Sequence, residues 1–160
     1  MKSVLGVDPG MTGALCILDE QGGYLIESMP RIGKQLDLGG LANWIKAHQG
    51  QLARAFIEQV SARPGQGVST MFKFGRAYGS VEGVIAALGI PYELVTPQRW
   101  TKVMHAGIEG GQTAKERSLL AAARLYPKVG LVPPGCRVPD SGLVDALLIA
   151  GYGLRQIGAA

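Results

Sequence analysis

Four acids and one lysine carry the chemistry that this sequence suggests: Asp8, Glu58, Asp140, Asp145 and Lys115. Asp8 closes the apolar run Val4-Leu5-Gly6-Val7 and is followed by Pro9-Gly10-Met11-Thr12-Gly13. A strand thus delivers one carboxylate into a glycine-rich turn that leaves room for a metal ion or a phosphate, unless Asp8 merely begins the turn. Glu58 lies in the apolar run Ala55-Phe56-Ile57-Glu58-Gln59-Val60, where burial is costly without a partner. A metal is one natural partner and an arginine is the other. Asp140 and Asp145 open the apolar stretch that runs on through Ala150. Near the start of a helix the dipole favours an ionised carboxylate, so Asp145, one turn inside, should stay charged. Asp140 fits an N-cap as well as a ligand. Carboxylate oxygens suit Mg²⁺, which usually works between acids and substrate phosphates, and these four acids have the composition of a two-metal phosphodiester site. Lys115, in the first turn of a helix, is the candidate contact to a scissile phosphate; a solvated helix lysine is the alternative.

The elements that must hold these residues can be read from periodicity and turn chemistry. Residues 2–8, 14–18 and 24–29 read as a three-stranded meander, with Asp19-Glu20-Gln21-Gly22-Gly23 as one turn. A helix follows over about 38–48, a fourth strand over 55–60, a long helix over 68–88 and a fifth strand over 92–96. Thr96 and Pro97 cap and start a short helix. Thr113-Ala114-Lys115-Glu116 is a capping box that opens a helix ending before Pro127, and a last helix spans 142–157. If the first and fourth strands are parallel neighbours, Asp8 and Glu58 sit side by side. The helix over 68–88 carries a seam (Met71, Tyr78, Ile85; Phe74, Val81, Leu88) and a glycine stripe (Gly75, Gly79, Gly83). Glycine within a helix costs about 1 kcal/mol relative to alanine, so three in register predict close approach of another backbone. Either both stripes pack within the monomer, or one meets the same helix of a second subunit.

A length of 160 residues, with 47% apolar and 18% charged residues, fits one well-folded domain. No apolar run reaches the roughly 18 residues of a membrane span, and the start of the chain lacks the pattern of a signal peptide; the expected address is cytoplasmic. Cys16 and Cys136 lack metal-ligand spacing and read as reduced thiols. The net charge is +4, and no acid occurs between Glu58 and Glu82, an interval that holds Arg63, Lys73 and Arg76. Arg99, Lys102 and Lys115 continue the basic series. Such a surface favours a polyanion, most simply nucleic acid. His48 and His105 are isolated, and Trp100 reads as core before base platform.

Four segments, Val4-Leu5-Gly6-Val7-Asp8-Pro9-Gly10, Phe56-Ile57-Glu58-Gln59-Val60, Phe74-Gly75-Arg76-Ala77-Tyr78-Gly79 and Asp145-Ala146-Leu147-Leu148-Ile149-Ala150, resemble in order the motifs of RuvC-type Holliday junction resolvases, most closely the phage and organellar branch. The resemblance implies a ribonuclease H-like α/β fold, with a five-stranded mixed sheet flanked by helices. It also implies a homodimer, for which the seam and glycine stripe make the helix over 68–88 the expected interface, and Mg²⁺-dependent paired nicking of four-way DNA junctions. Two ions per site are expected, with Mn²⁺ a possible substitute. Asp8, Glu58 and Asp145 fall on the family's catalytic carboxylates. The triplet His-Asp-Gly, frequent before the last acid, is here Asp140-Ser141-Gly142, which displaces the fourth ligand by one residue. Where bacterial members stack a phenylalanine on the junction this chain has Ser61; Met71 or Phe72, beside Lys73, are the candidate replacements, with Phe72 and Phe74 alternatively in the core or an interface. A bacterial or phage type is implied, with an organellar mature form the alternative. Two other readings compete: a junction-binding protein without cleavage, and a relative of the actin-like ATPases and sugar kinases, whose first phosphate loop Asp-Pro-Gly-Met-Thr-Gly resembles.

Overall fold

In a computed structural model the chain is described over residues 2–62 and 64–158. The centre is a five-stranded sheet of β1 (Ser3–Asp8), β2 (Ala14–Asp19), β3 (Tyr24–Ser28), β6 (Leu52–Glu58) and β7 (Tyr92–Val95). Its spatial order is β3-β2-β1-β6-β7; the meander pairs are antiparallel, whereas β1–β6 and β6–β7 are parallel. The expected mixed sheet is therefore present. Leu52, Ala53 and Arg54 lengthen the fourth strand beyond the apolar run that signals it, and the strand ends at Glu58. A two-stranded hairpin, β4 (Arg31–Ile32) and β5 (Gln35–Leu36), was not legible in the sequence.

Strand alternation sorts the side chains between two layers. Leu5, Val7, Leu15, Ile17, Ala55 and Ile57 face α1 (Leu38–His48) and α2 (Val68–Ala87), meeting Leu41, Ile45, Val81 and Ile85. Val4, Cys16, Leu18 and Phe56 face the opposite layer, formed by α3 (Pro97–Met104), α4 (Ala114–Leu125) and α5 (Ser141–Gly158). Eleven residues of α5, from Gly142 to Gly153, are buried, because the sheet covers one side and α3 and α4 the other. Such a helix is apolar nearly all round, as its sequence shows.

The α5 backbone lies directly on β1. A Cβ on Gly6 would overlap the backbone of Ala146 and Ala150, and one on Gly142 would overlap the Thr12 carbonyl. Gly6→Val should therefore displace α5. We expect a loss of about 3 kcal/mol or more and a drop in melting temperature of roughly 6–12 °C, measurable by thermal denaturation; a variant melting with the parent would contradict this packing.

Candidate active site

The same alternation that builds the core aims the acids. Asp8 continues the series Val4, Gly6 on β1, and Glu58 continues Phe56 on β6, so both carboxylates leave the sheet on the α5 side. Val7 pairs with Ile57, which places Asp8 and Glu58 at neighbouring ends of parallel strands. Asp145 meets them from the first turns of α5. Glu58, Asp145 and Lys115 line one cleft of about 590 Å³, together with Phe74, Trp100 and Ser118. Asp8, which is not among the residues lining this cleft, ends β1 just before the tight turn closed by the Gly13 N–H on the Gly10 carbonyl at 2.9 Å.

The carboxyl pKa values show how closely these charges sit. Burial raises Asp8 to about 7, the charges of Glu58, Asp145 and Asp140 add to the rise, and a hydrogen bond from the Gly10 N–H opposes it. Asp145 rises to about 6, first by burial and then by Glu58, with a hydrogen bond from Ser118 and the charge of Lys115 opposing. Asp140 spends one oxygen as the N-cap of α5, accepting from Leu143 N–H at 3.0 Å. Its capping reading is therefore realised, while its charge is still felt by Asp8 and Asp145.

This donor set suits a hard divalent cation. The ligands would be oxygen only, they repel one another, and among the described residues Lys115 is the sole basic side chain lining the cleft. Among the described residues no group of three or more acid, histidine or cysteine side chains is placed to hold a metal ion by itself. Mg²⁺ does not require one, since it usually keeps several waters and is held by one or two carboxylates plus substrate phosphate.

No protein-family model matches the sequence, and no curated protein matches it. Solved structures do match. T. thermophilus RuvC in complex with Holliday junction substrate superposes with a TM-score of 0.63 at 18% identity, covering 98% of this chain and 96% of that one. A second Thermus thermophilus RuvC structure gives 0.61 at 21% identity, covering 96% of each chain. The fold is that of RuvC.

Within this RuvC fold, the residues predicted to touch DNA do not all share the catalytic cleft. Met71 and Phe72 border a neighbouring hollow, with Phe74 as the wall common to both, and Phe72 is 71% exposed. Lys73 and Arg76 line a separate hollow of about 370 Å³ with Met11 and Lys34. Lys34 stands on the two-residue turn of the β4–β5 hairpin, and no periodicity or motif in the sequence places it near α2. Arg99 forms an ion pair with Glu93 at 3.1 Å, and neither Arg99 nor Lys102 lines the cleft. Arg63 lies outside the described residues.

Sequence reasoning also missed three residues behind the acids. Trp100 donates its indole N–H to Glu58 Oε1 at 2.9 Å, and His105 Nε2 lies 3.0 Å from Ser118 Oγ. The reading of Trp100 as core was correct, since it is 3% exposed, but not complete. For His105, treated as isolated, the missing signal was tertiary: its partner lies thirteen positions away on another helix.

Proposed function

We propose that this chain is a structure-selective DNA endonuclease that resolves four-way junctions by metal-dependent, paired phosphodiester hydrolysis as a homodimer. The observation that carries the reading is the convergence of Asp8, Glu58 and Asp145 on one side of the sheet, beside a cleft that also holds Lys115, in a RuvC fold. That one of the matching RuvC structures was obtained with a Holliday junction substrate supports four-way DNA as the substrate class.

Asp8, Glu58 and Asp145 would hold the cation, with Asp140 contributing its remaining oxygen. A bound Mg²⁺ would supply Lewis-acid polarisation of the phosphate and a water of lowered pKa. The protein's own part is to fix the geometry and neutralise the substrate. Lys115 places an ammonium beside Asp145, and it does so from the first turn of α4, where unpaired backbone N–H groups also attract phosphate. Phe74 and Phe72 present ring surface beside the cleft, suited to stacking on bases exposed at a junction. The glycine stripe on α2 supports the homodimer, because Gly75, Gly79 and Gly83 face open space within the monomer.

The test is a labelled four-way junction incubated with Mg²⁺, beside linear duplex of the same sequence. Two symmetric nicks in the junction, with the duplex intact, are expected; binding without nicking would favour the non-cleaving reading. The same substrate tests the basic surface. Each neutralised phosphate adds roughly 0.9 to the slope of log affinity against log salt, so the triple variant Lys34→Ala, Lys73→Ala, Arg76→Ala should flatten that slope by about 1–3. An unchanged slope would show that this hollow does not face DNA.

A further inference from the structure

Two of the cleft's carboxylates are held by side chains of α3, α4 and the loop joining them, and two of these, Trp100 and Ser118, also line the cleft. Trp100 spends its only donor on Glu58 Oε1, at 2.9 Å. Its ring meets the His105 imidazole edge-on, with centroids 5.9 Å apart and planes at 83°. His105 Nε2 lies 3.0 Å from Ser118 Oγ. Ser118, 3% exposed, in turn hydrogen-bonds Asp145.

The polarity of this string follows from which groups can donate. An ionised carboxylate only accepts, so the Ser118 O–H donates to Asp145 and the Ser118 oxygen is left to accept from His105. His105 therefore carries its hydrogen on Nε2. An indole N–H only donates, so Trp100 likewise requires an oxygen of Glu58 that is free of hydrogen. Both ends thus favour the carboxylate form, each donating one hydrogen bond to its acid. A buried tryptophan or serine needs some partner; here both partners are acids of one cleft, drawn from different elements, a strand end and a helix turn.

We propose that Trp100, His105 and Ser118 are positioning residues. The contacts Glu58–Trp100–His105–Ser118–Asp145 tie two acids to one buried scaffold and fix their oxygens for a divalent cation. The inference rests on the nuclease reading above, which states what the carboxylates are held for. Outer-shell partners of this kind typically change metal affinity or activity 10–100-fold when removed.

The experiment is calorimetric titration of Mn²⁺ into the DNA-free full-length protein, with melting temperature and junction affinity measured in parallel. Trp100→Phe keeps an aromatic ring, smaller than the indole, and loses the N–H; His105→Leu removes the donor to Ser118; His105→Gln places an amide N–H near the position of Nε2. Trp100→Phe and His105→Leu are expected to weaken Mn²⁺ binding by about 10–100-fold while still unfolding in one cooperative transition above the assay temperature and binding junctions like the parent. His105→Gln is expected to recover most of the loss, which a merely structural histidine would not predict. A parent that binds Mn²⁺ and cuts, with Trp100→Phe and His105→Leu indistinguishable from it, would overturn the positioning role alone. A parent that neither binds Mn²⁺ nor cuts would overturn the nuclease reading as well.

Discussion

Asp8→Asn is expected to abolish junction cleavage and, at pH 8 without metal, to make the protein harder to unfold. The two effects have one cause. Asp8 sits among other acids, and its carboxyl is raised from 3.8 to about 7 by burial and by Glu58 and Asp145. The folded state therefore binds more protons than the unfolded chain between about pH 4 and 7, and stability falls as pH climbs through that window. Below pH 4 both states hold the proton and the contribution is complete; above pH 7 it is gone. An amide cannot ionise, so Asp8→Asn should unfold on the order of 2–4 kcal/mol less readily than the parent at pH 8, with the advantage vanishing near pH 4. The same substitution removes a ligand charge that catalysis needs. A loss of at least about 10³-fold in cleavage, or about 4 kcal/mol of barrier, is expected, with junction binding unchanged within a few-fold. Mg²⁺ should raise the parent's melting temperature at pH 8 and leave that of Asp8→Asn nearly unmoved. Denaturant unfolding at pH 4 and pH 8, together with a nicking assay, measures all of this. A variant that cuts near the parental rate, or that is less stable than the parent at pH 8, would mean that Asp8 is a structural turn residue.

Asp8, Glu58 and Asp145 were legible in the sequence because each interrupts an apolar run, and in a strand or buried helix only function or a partner tolerates that. Alternation along Val4-Gly6-Asp8 and Phe56-Glu58 already contained their common direction, which needed only the parallel pairing of β1 with β6 to become a site. What was not legible depends on contacts between elements. Glu58 meets Trp100 across 42 positions, and the Ser118–His105 bond joins a loop to a neighbouring helix. Neither leaves a periodic trace. The β4–β5 hairpin escaped for a different reason: two-residue strands are too short to show alternation, and its exposed Arg31 and Ile32 resemble loop residues. The close contacts of α5 at Gly6 and Gly142 were hidden too, since the sequence shows a small residue but not the backbone that demands it.

Gly79→Leu is expected to stabilise the monomer and destroy the paired cut. In the monomer a Cβ at Gly75, Gly79 or Gly83 would meet nothing within 4 Å, while the core face of α2 is supplied by Ala77, Val81 and Ile85. The glycines therefore carry a helix cost of about 1 kcal/mol each that nothing inside one chain explains. Phe72 and Val68, 71% and 87% exposed, lie on the same helix, so apolar side chains and bare backbone stand together on a surface open to solvent. A second copy meeting this stripe across a two-fold axis would use both. Leucine at 79 should raise the unfolding free energy of the isolated chain by roughly 0.5–1 kcal/mol through helix propensity. Across the proposed interface it should cost about 1–3 kcal/mol by overpacking, weakening association roughly ten- to a hundredfold. Function then separates the two sites: a four-way junction has two equivalent strands, and one active site leaves it nicked. On a cruciform plasmid the parent should yield linear product and Gly79→Leu nicked circles, with sedimentation reporting mass in solution. If Gly79→Leu remains dimeric and still linearises the plasmid, the interface lies elsewhere; if the parent is monomeric on the junction as well as off it, the two cuts cannot come from a symmetric pair of sites.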